Sequence, residues 1–167
     1  PDVFTRMILS LALTRIAPPS FYTGDRSRAH YEGLPVDFIA QAIVGIAEAN
    51  RHGYHNFHVL NPNDDGISLD TFADWLGELG FCEERLATYD DWLERFAVAL
   101  RAAPEARRSA SVLPLLDAYA APSPARAGAS IPAGHFIAAV AASGLGDEGR
   151  IPHLDRDLIR AYVEDLQ

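Results

Sequence analysis

The spacing of apolar residues most restricts the fold of this chain, because it predicts helices almost throughout. About six stretches place apolar side chains three and four residues apart, as an amphipathic helix does. Prolines and glycines such as Pro18, Gly53 and Gly80 follow three of these stretches and end them. A loop or short turn is predicted at 104–108, and a helical stretch broken at Pro114 at 111–119. The main predicted helices cover residues 2–16, 35–50, 68–79, 90–100, 132–143 and 155–166.

Residues 56–60 (NFHVL) predict a short strand, and a turn rich in Asn, Pro and Gly follows it at 61–66. A lone strand leaves its hydrogen-bonding edges unpaired. We therefore expect this strand to complete a sheet that an upstream part of a longer α/β protein supplies. The expected fold class is mostly α with one or two short strands.

The domain organisation expected from composition is a single lobe over residues 1–167. Residues 1–119 form its expected core, 120–133 a loop or linker, and 134–167 the C-terminal helices. The chain begins with Pro1 and has no initiator Met, so we expect it to be a piece of a longer polypeptide. No apolar run approaches the ~20 residues that a membrane span needs. With one cysteine and no secretory leader, the expected location is cytoplasmic.

The charged residues exclude several classes of function. All 14 Lys+Arg residues are arginine, so the chain lacks the lysine of a P-loop, of a Schiff-base enzyme and of a Tyr-x-x-x-Lys dehydrogenase pair. The net charge of −9 repels a phosphate backbone, so nucleic acid is not expected as a partner. The stretch 144–149 does not follow a strand, so it does not predict a dinucleotide-binding turn.

Two motifs could be taken for metal sites, and both favour ordinary structure. His52, His55 and His58 are evenly spaced, but Gly53 interrupts them and their rings need not converge. Residues 61–66 imitate the start of a calcium loop, yet Phe72 occupies the position of the required bidentate Glu. Cys82 is expected to be a buried small apolar residue. No catalytic, cofactor-binding or metal-binding residue is therefore assigned.

Five stretches resemble the thioester reductase domain of carboxylic acid reductases, an extended short-chain dehydrogenase type. Together they cover nearly the whole chain, and 57–76 is the most specific of them. They are VFTRMILSLALTRIAPPSFY at 3–22, YEGLPVDFIAQAIVGIA at 31–47, FHVLNPNDDGISLDTFADWL at 57–76, RLATYDDWLERFAVALRAAPEARRSASVLPLL at 85–116 and IPHLDRDLIRAYVEDL at 151–166.

The resemblance implies a multidomain parent that loads a carboxylic acid as a thioester on a phosphopantetheine arm. Its reductase would deliver hydride from NADPH to the thioester and release an aldehyde. The family's catalytic Tyr, Lys and Ser or Thr, and its glycine-rich turn, have no counterpart here. We therefore expect the C-terminal, substrate-binding lobe without the Rossmann half, inactive alone and paired with an upstream nucleotide-binding half and a carrier domain.

Substrate contacts are expected from the first helix and the turn after it, at Phe4, Met7 and Tyr22. Plain core packing explains the same residues, and Arg6 is either a phosphate contact of the arm or a surface residue. Alternatives to the reductase lobe are a non-catalytic carrier-binding or protein-interaction module, and the substrate lobe of another extended short-chain dehydrogenase. A lobe cut from its sheet would expose an apolar seam, so self-association is also expected.

Overall fold

The computed structural model describes residues 2–166 and confirms a mostly helical fold with short strands. Two 3-10 helices, Arg26–Arg28 and Leu113–Tyr119, add to the α-helices. The α-helices are α1 (Val3–Thr14), α2 (Val36–Ala49), α3 (Leu69–Glu78), α4 (Tyr89–Ala102), α5 (Glu105–Ala110), α6 (Gly134–Ser143) and α7 (Arg156–Leu166).

Capping residues fix where several helices begin. The Asp2 carboxylate accepts a hydrogen bond from Thr5 N at 3.1 Å at the start of α1, and Thr88 Oγ1 accepts one from Asp91 N at the start of α4. Ser68 and Thr71 form a capping box at the start of α3. Such side chains satisfy N–H groups that have no partner within the helix.

Four strands of two residues each form two parallel pairs. The strand β1 (Ile16–Ala17) pairs with β3 (Glu84–Arg85), and β2 (Tyr22–Thr23) pairs with β4 (Ser123–Pro124). The first pair holds the start of the segment that follows α1, and the second pair holds its end. That segment therefore has a defined conformation although it is too short to form a sheet of its own.

The strand predicted at 56–60 is wrong, because no strand of the described residues includes this stretch. Two of its apolar side chains pack without a neighbouring strand: Phe57 packs on the cluster around α2 and α6, and Leu60 is buried, whereas Val59 is exposed. The loop or turn predicted at 104–108 is also corrected, since α5 begins at Glu105 after Pro104. Pro114 lies in the first turn of the second 3-10 helix, where proline is tolerated, and does not break it.

The described chain divides into two compact units. Unit 1 comprises the chain up to Arg26, Ser68–Ala125 and the chain from Asp155 onward; unit 2 comprises Ser27–Ile67 and Arg126–Leu154. The composition predicts a single lobe over residues 1–167, with a loop or linker at 120–133 between its core and its C-terminal helices. Both of these stay predictions. In unit 1, Trp92 is fully buried and its ring contacts three aromatic neighbours: Phe21, Tyr89 and Phe96.

The core of unit 2 lies between α2 and α6. Its buried members are Phe38, Ala42, Ile46, Phe136, Val140 and Ile151. Helix α2 also carries apolar residues outside this core: Val36 is 79% exposed, Ile43 58% and Val44 59%. Helical spacing predicts a buried stripe of Phe38, Ile39, Ala42, Ile43, Ile46 and Ala47. The structure corrects this prediction at Ile43 and Ala47, which are exposed. Among the described residues, no helix has the length and apolar character that crossing a membrane requires.

Candidate functional site

In unit 1, the segment from β1 to β2 is held by the carboxylate of Asp70 in the first turn of α3. Ser20 Oγ donates to Asp70 Oδ2 at 2.5 Å, and Phe21 N donates to Oδ1 at 2.7 Å. Ser20 is buried and the Asp70 side chain is only 15% exposed. Charge-assisted hydrogen bonds of this kind are among the stronger ones in proteins. The segment is therefore fixed against α3.

Arg85, at the end of β3, holds the same segment from its other side. Its guanidinium donates to the carbonyl oxygens of Pro18 at 2.9 Å and of Asp70 at 2.6 Å, and to the carboxylate of Asp74 at 2.5 Å. Arginine suits this position because its planar fork of N–H groups reaches several acceptors at once. Together, Asp70 and Arg85 fix the segment that carries the predicted site residue Tyr22.

The Tyr22 hydroxyl lies at the N-terminus of α3, where it accepts a hydrogen bond from Leu69 N at 3.3 Å. Burial raises the pKa of this hydroxyl above its usual range, so it is neutral near pH 7. The hydroxyl expected to be a polar tip in a substrate channel therefore serves as a helix-capping group. Its contact with substrate stays a prediction.

Phe4 and Met7 lie on α1 and pack inside unit 1. The Phe4 ring contacts the rings of Phe72 at 5.3 Å and of Tyr162 at 5.5 Å, while Met7 has no exposed surface. Phe4 and Tyr22 thus both contact α3, at different turns of it. These packing roles are what the structure shows, and a role in substrate binding remains a prediction.

Arg6 makes hydrogen bonds to the backbone of unit 1. Its guanidinium donates to the carbonyl oxygens of Ser109 at 2.7 Å and of Ser111 at 2.8 Å. These bonds join α1 to the end of α5. The guanidinium is therefore engaged by backbone acceptors, and its contact with a phosphate stays a prediction.

A concave apolar groove in unit 2 is the feature that the sequence did not reveal. It has a volume of about 440 Å³ and lies beside α2 and the segment that follows it. Ile43, Ala47, Val59 and Phe136 are among its lining residues, and none of the lining residues is Asp, Glu or Arg. No sequence signal indicated this groove, because helical spacing places Ile43 in the buried stripe of α2.

A second groove of about 640 Å³ adjoins the first and is more polar. Asn50, Tyr54, His55 and Phe57 line both grooves. Asn56, His135 and Ser143 contribute further polar groups to the second groove. The surface of both grooves is mainly apolar, and more hydrogen-bonding side chains line the second groove than the first.

Two of the three evenly spaced histidines contact backbone carbonyl groups through their rings. His55 Nε2 lies 2.9 Å from the carbonyl oxygen of His52, and His58 Nδ1 lies 3.0 Å from that of Pro132. Within residues 2–166, no group of three or more His, Cys, Asp or Glu side chains is arranged to hold a metal ion.

Comparison with known proteins relates this fold to reductases. Carboxylic acid reductases from Mycobacterium marinum and Segniliparus rugosus are each 51% identical to this chain over 171 residues, covering all of it. The crystal structure of the reductase domain of a nonribosomal peptide synthetase from Mycobacterium tuberculosis matches with a TM-score of 0.87 and 42% identity over 99% of this chain. The chain is homologous to the C-terminal part of a reductase domain.

The chain spans only a small part of the length of these relatives. It spans 15% and 14% of the two carboxylic acid reductases and 40% of the solved reductase domain. An isonitrile lipopeptide synthase from Mycobacterium tuberculosis is 43% identical over 99% of the chain, which spans 7% of that protein. No protein-family model matches the segment. The expected resemblance to the reductase domain of carboxylic acid reductases is confirmed.

Proposed function

We propose that this chain is the substrate-side lobe of a thioester reductase of the carboxylic acid reductase type. The observation that carries the proposal is the match of 99% of the chain, at a TM-score of 0.87, to part of a solved reductase domain. In the proposed reaction a carrier-bound acyl thioester is reduced and released as an aldehyde. This lobe would position the thioester and exclude water from it.

The residues of this chain do not fit NADPH. The sequence has no lysine, and no strand of the described residues leads through a glycine-rich turn into a helix. We assign the cofactor, which would supply the hydride, to an upstream nucleotide-binding half. The proposal therefore places no catalytic group on this chain.

The exposed face of α2 supports a partner of this kind. Val36, Ile43 and Val44 are all more than half exposed, although monomeric proteins rarely display large continuous apolar patches. Since the chain spans 40% of the solved reductase domain, the larger part of such a domain lies outside it. We propose that the upstream half covers the part of this face around Val36, and that the substrate arrives on a carrier domain in the cytoplasm.

A longer polypeptide that includes the preceding nucleotide-binding half tests this function. With NADPH and an acyl thioester, it should lose absorbance at the nicotinamide band and form an aldehyde, whereas this chain alone should not. Deleting this chain from the longer polypeptide should abolish thioester reduction while leaving NADPH binding intact. Turnover by this chain alone, or full thioester reduction without it, would overturn the proposal.

A further inference from the structure

We propose that Asp65 and Gly66 form a site of spontaneous isoaspartate formation, and that the contact between Asp65 and His153 restrains this reaction in the folded chain. Asp65 is the only aspartate of the sequence that a glycine follows, and no asparagine precedes a glycine. Glycine has no Cβ, so its amide nitrogen can approach the preceding carboxyl group without steric hindrance. The inference concerns the covalent chain of unit 2 and does not depend on the proposed function.

The reaction needs only water and the atoms of this turn. Gly66 N attacks Cγ of the protonated Asp65 carboxyl group, a C–N bond forms, and the carboxyl hydroxyl group leaves with the amide proton as water. Water then opens the succinimide ring at one of its two carbonyl carbons. Opening at the carbonyl of the original main chain leaves the chain running through the former side chain, which is isoaspartate, and opening at the other carbonyl restores aspartate.

The backbone conformation of the turn requires glycine at position 66. Gly66 has a φ of +72°, in the left-handed region that residues with a side chain rarely adopt. A Cβ atom on this residue would lie 3.2 Å from the carbonyl oxygen of Ser27. A bulkier residue that would slow the attack is therefore strained here, and the turn keeps its reactive pair as a consequence of its shape.

Both carboxylate oxygens of Asp65 are held by hydrogen bonds. Ile67 N donates to Oδ1 at 3.1 Å, and His153 Nδ1 lies 2.7 Å from Oδ2, where it donates because a carboxylate only accepts. The Asp65 side chain is 17% exposed, so it has little room to turn away. The oxygen that leaves as water must take up a proton and part from its donor, and these bonds oppose both steps. His153 therefore restrains the reaction.

Isoaspartate would alter the contacts between this turn and an earlier segment of unit 2. Tyr31 N donates to the carbonyl oxygen of Ile67, and Asn61 N donates to that of Glu32, each at 2.9 Å. Isoaspartate at position 65 adds a methylene group to the main chain between Asn61 and Ile67. At least one of the two hydrogen bonds must then shift, so the modified turn should be held less firmly.

Peptide mapping of aged protein tests the proposal. We would incubate this chain and His153→Ala in weakly acidic buffer and measure isoaspartate at position 65 by electron-transfer fragmentation, which distinguishes it from aspartate. His153→Ala should form it about threefold faster or more, because it loses one hydrogen bond to the carboxylate. The original chain unfolded in guanidinium chloride, which loses both, should form it about tenfold faster or more.

Two controls come from the chain itself. His55→Ala should age like the original chain, because the His55 ring contacts a backbone carbonyl oxygen, that of His52. Asp64 is exposed in the same turn but precedes a residue with a side chain, so it should remain aspartate. Circular dichroism would check that both histidine variants are folded.

Three results would overturn the inference. Equal rates in His153→Ala and His55→Ala would remove the role of His153, and equal rates in the folded and unfolded chain would remove the restraint. As much isoaspartate at Asp64 as at Asp65 would remove the assignment of the site. None of these results bears on whether the longer polypeptide reduces a thioester, so the two proposals can fail separately.

Discussion

Ser20 donates a hydrogen bond of 2.5 Å to the carboxylate of Asp70, across fifty positions of sequence. Replacing Asp70 with Ala would leave Ser20 Oγ and Phe21 N without this acceptor in a mostly buried setting. We expect Asp70→Ala to lower the free energy of unfolding by about 1–3 kcal/mol. Urea denaturation followed by circular dichroism measures the change.

Asp74→Ala is the control for that measurement. Asp74 lies on the same helix and pairs with Arg85, but its side chain is 64% exposed. Exposed ion pairs contribute about 0–1 kcal/mol, so the control should lose much less stability. Equal losses in the two variants would show that Asp70 does not hold the segment as described.

The sequence predicted most helices because their signals are local. Asp2 and Ser68 precede the apolar stripes of α1 and α3 and act there as capping residues. The contact between Ser20 and Asp70 could not be predicted, since no local pattern indicates which distant hydroxyl meets the carboxylate. The same is true of the grooves, where Ile43 and Phe136 meet only in the folded chain.

The two main errors in the prediction have physical causes. Residues 56–60 have the composition of a strand, but their apolar side chains pack without a partner strand, and strand propensity depends strongly on such surroundings. Ile43 has the helical spacing of a core residue, but α2 is apolar around most of its circumference. Periodicity alone does not distinguish a core-facing side of such a helix from a side that faces a ligand or a partner.

Alkaline pH should destabilise unit 1 through Tyr89. Burial raises the pKa of Tyr89 from 10.0 to about 12, and its hydroxyl donates to the carbonyl oxygen of Tyr119 at 3.0 Å. The folded state therefore holds this proton more tightly than the unfolded state. The resulting stabilisation is complete below about pH 10 and is lost as the pH rises through about 12.

Tyr89→Phe isolates this effect. The variant should be less stable near pH 7, because it lacks the hydrogen bond, but its stability should fall less steeply between about pH 10 and 12. Burial also raises the pKa of Tyr119, so a smaller slope should remain. Urea denaturation at a series of pH values would show identical slopes in both proteins if Tyr89 were not responsible.

The single thiol of the chain should react slowly while the protein is folded. Cys82 is 7% exposed, its thiol donates to the carbonyl oxygen of Arg15 at 3.6 Å, and burial raises its pKa. A thiol that is both buried and protonated is a poor nucleophile. Ellman's reagent should therefore label the chain readily only in denaturant, and rapid labelling of the native chain would contradict this burial.

Self-association through α2 should be measurable when this chain is isolated. Val36 is 79% exposed, and Val36→Asp would place a charge on the apolar face. In sedimentation velocity, the original chain should sediment faster as its concentration rises, whereas the variant should not. Val98→Asp, at a residue of α4 that is 59% exposed, should behave like the original chain. Concentration-independent sedimentation of the original chain would contradict the expectation.

Phe4, Met7 and Tyr22 are the sequence-based candidates for substrate contact, and kinetics can test them. In the longer reductase, Phe4→Leu, Met7→Leu and Tyr22→Phe should each shift the ratio of kcat/KM between short and long acyl thioesters by about threefold or more. Ile8→Val is the control, because Ile8 is fully buried on α1 and its change loosens the packing of the helix without altering a candidate contact. It should leave the ratio unchanged. An unchanged ratio in all three variants would leave these residues with packing roles only.

The path of the chain between the two units determines which truncations could release a whole unit. Unit 1 is assembled from three separate stretches and unit 2 from two, so a single scission releases neither of them whole. Trimming the C-terminus removes Tyr162, whose ring contacts Phe4 near the other end of the sequence. Obtaining unit 2 by itself would instead require splicing residues 27–67 directly to 126–154, a rearranged gene product that carries both grooves and nothing of unit 1.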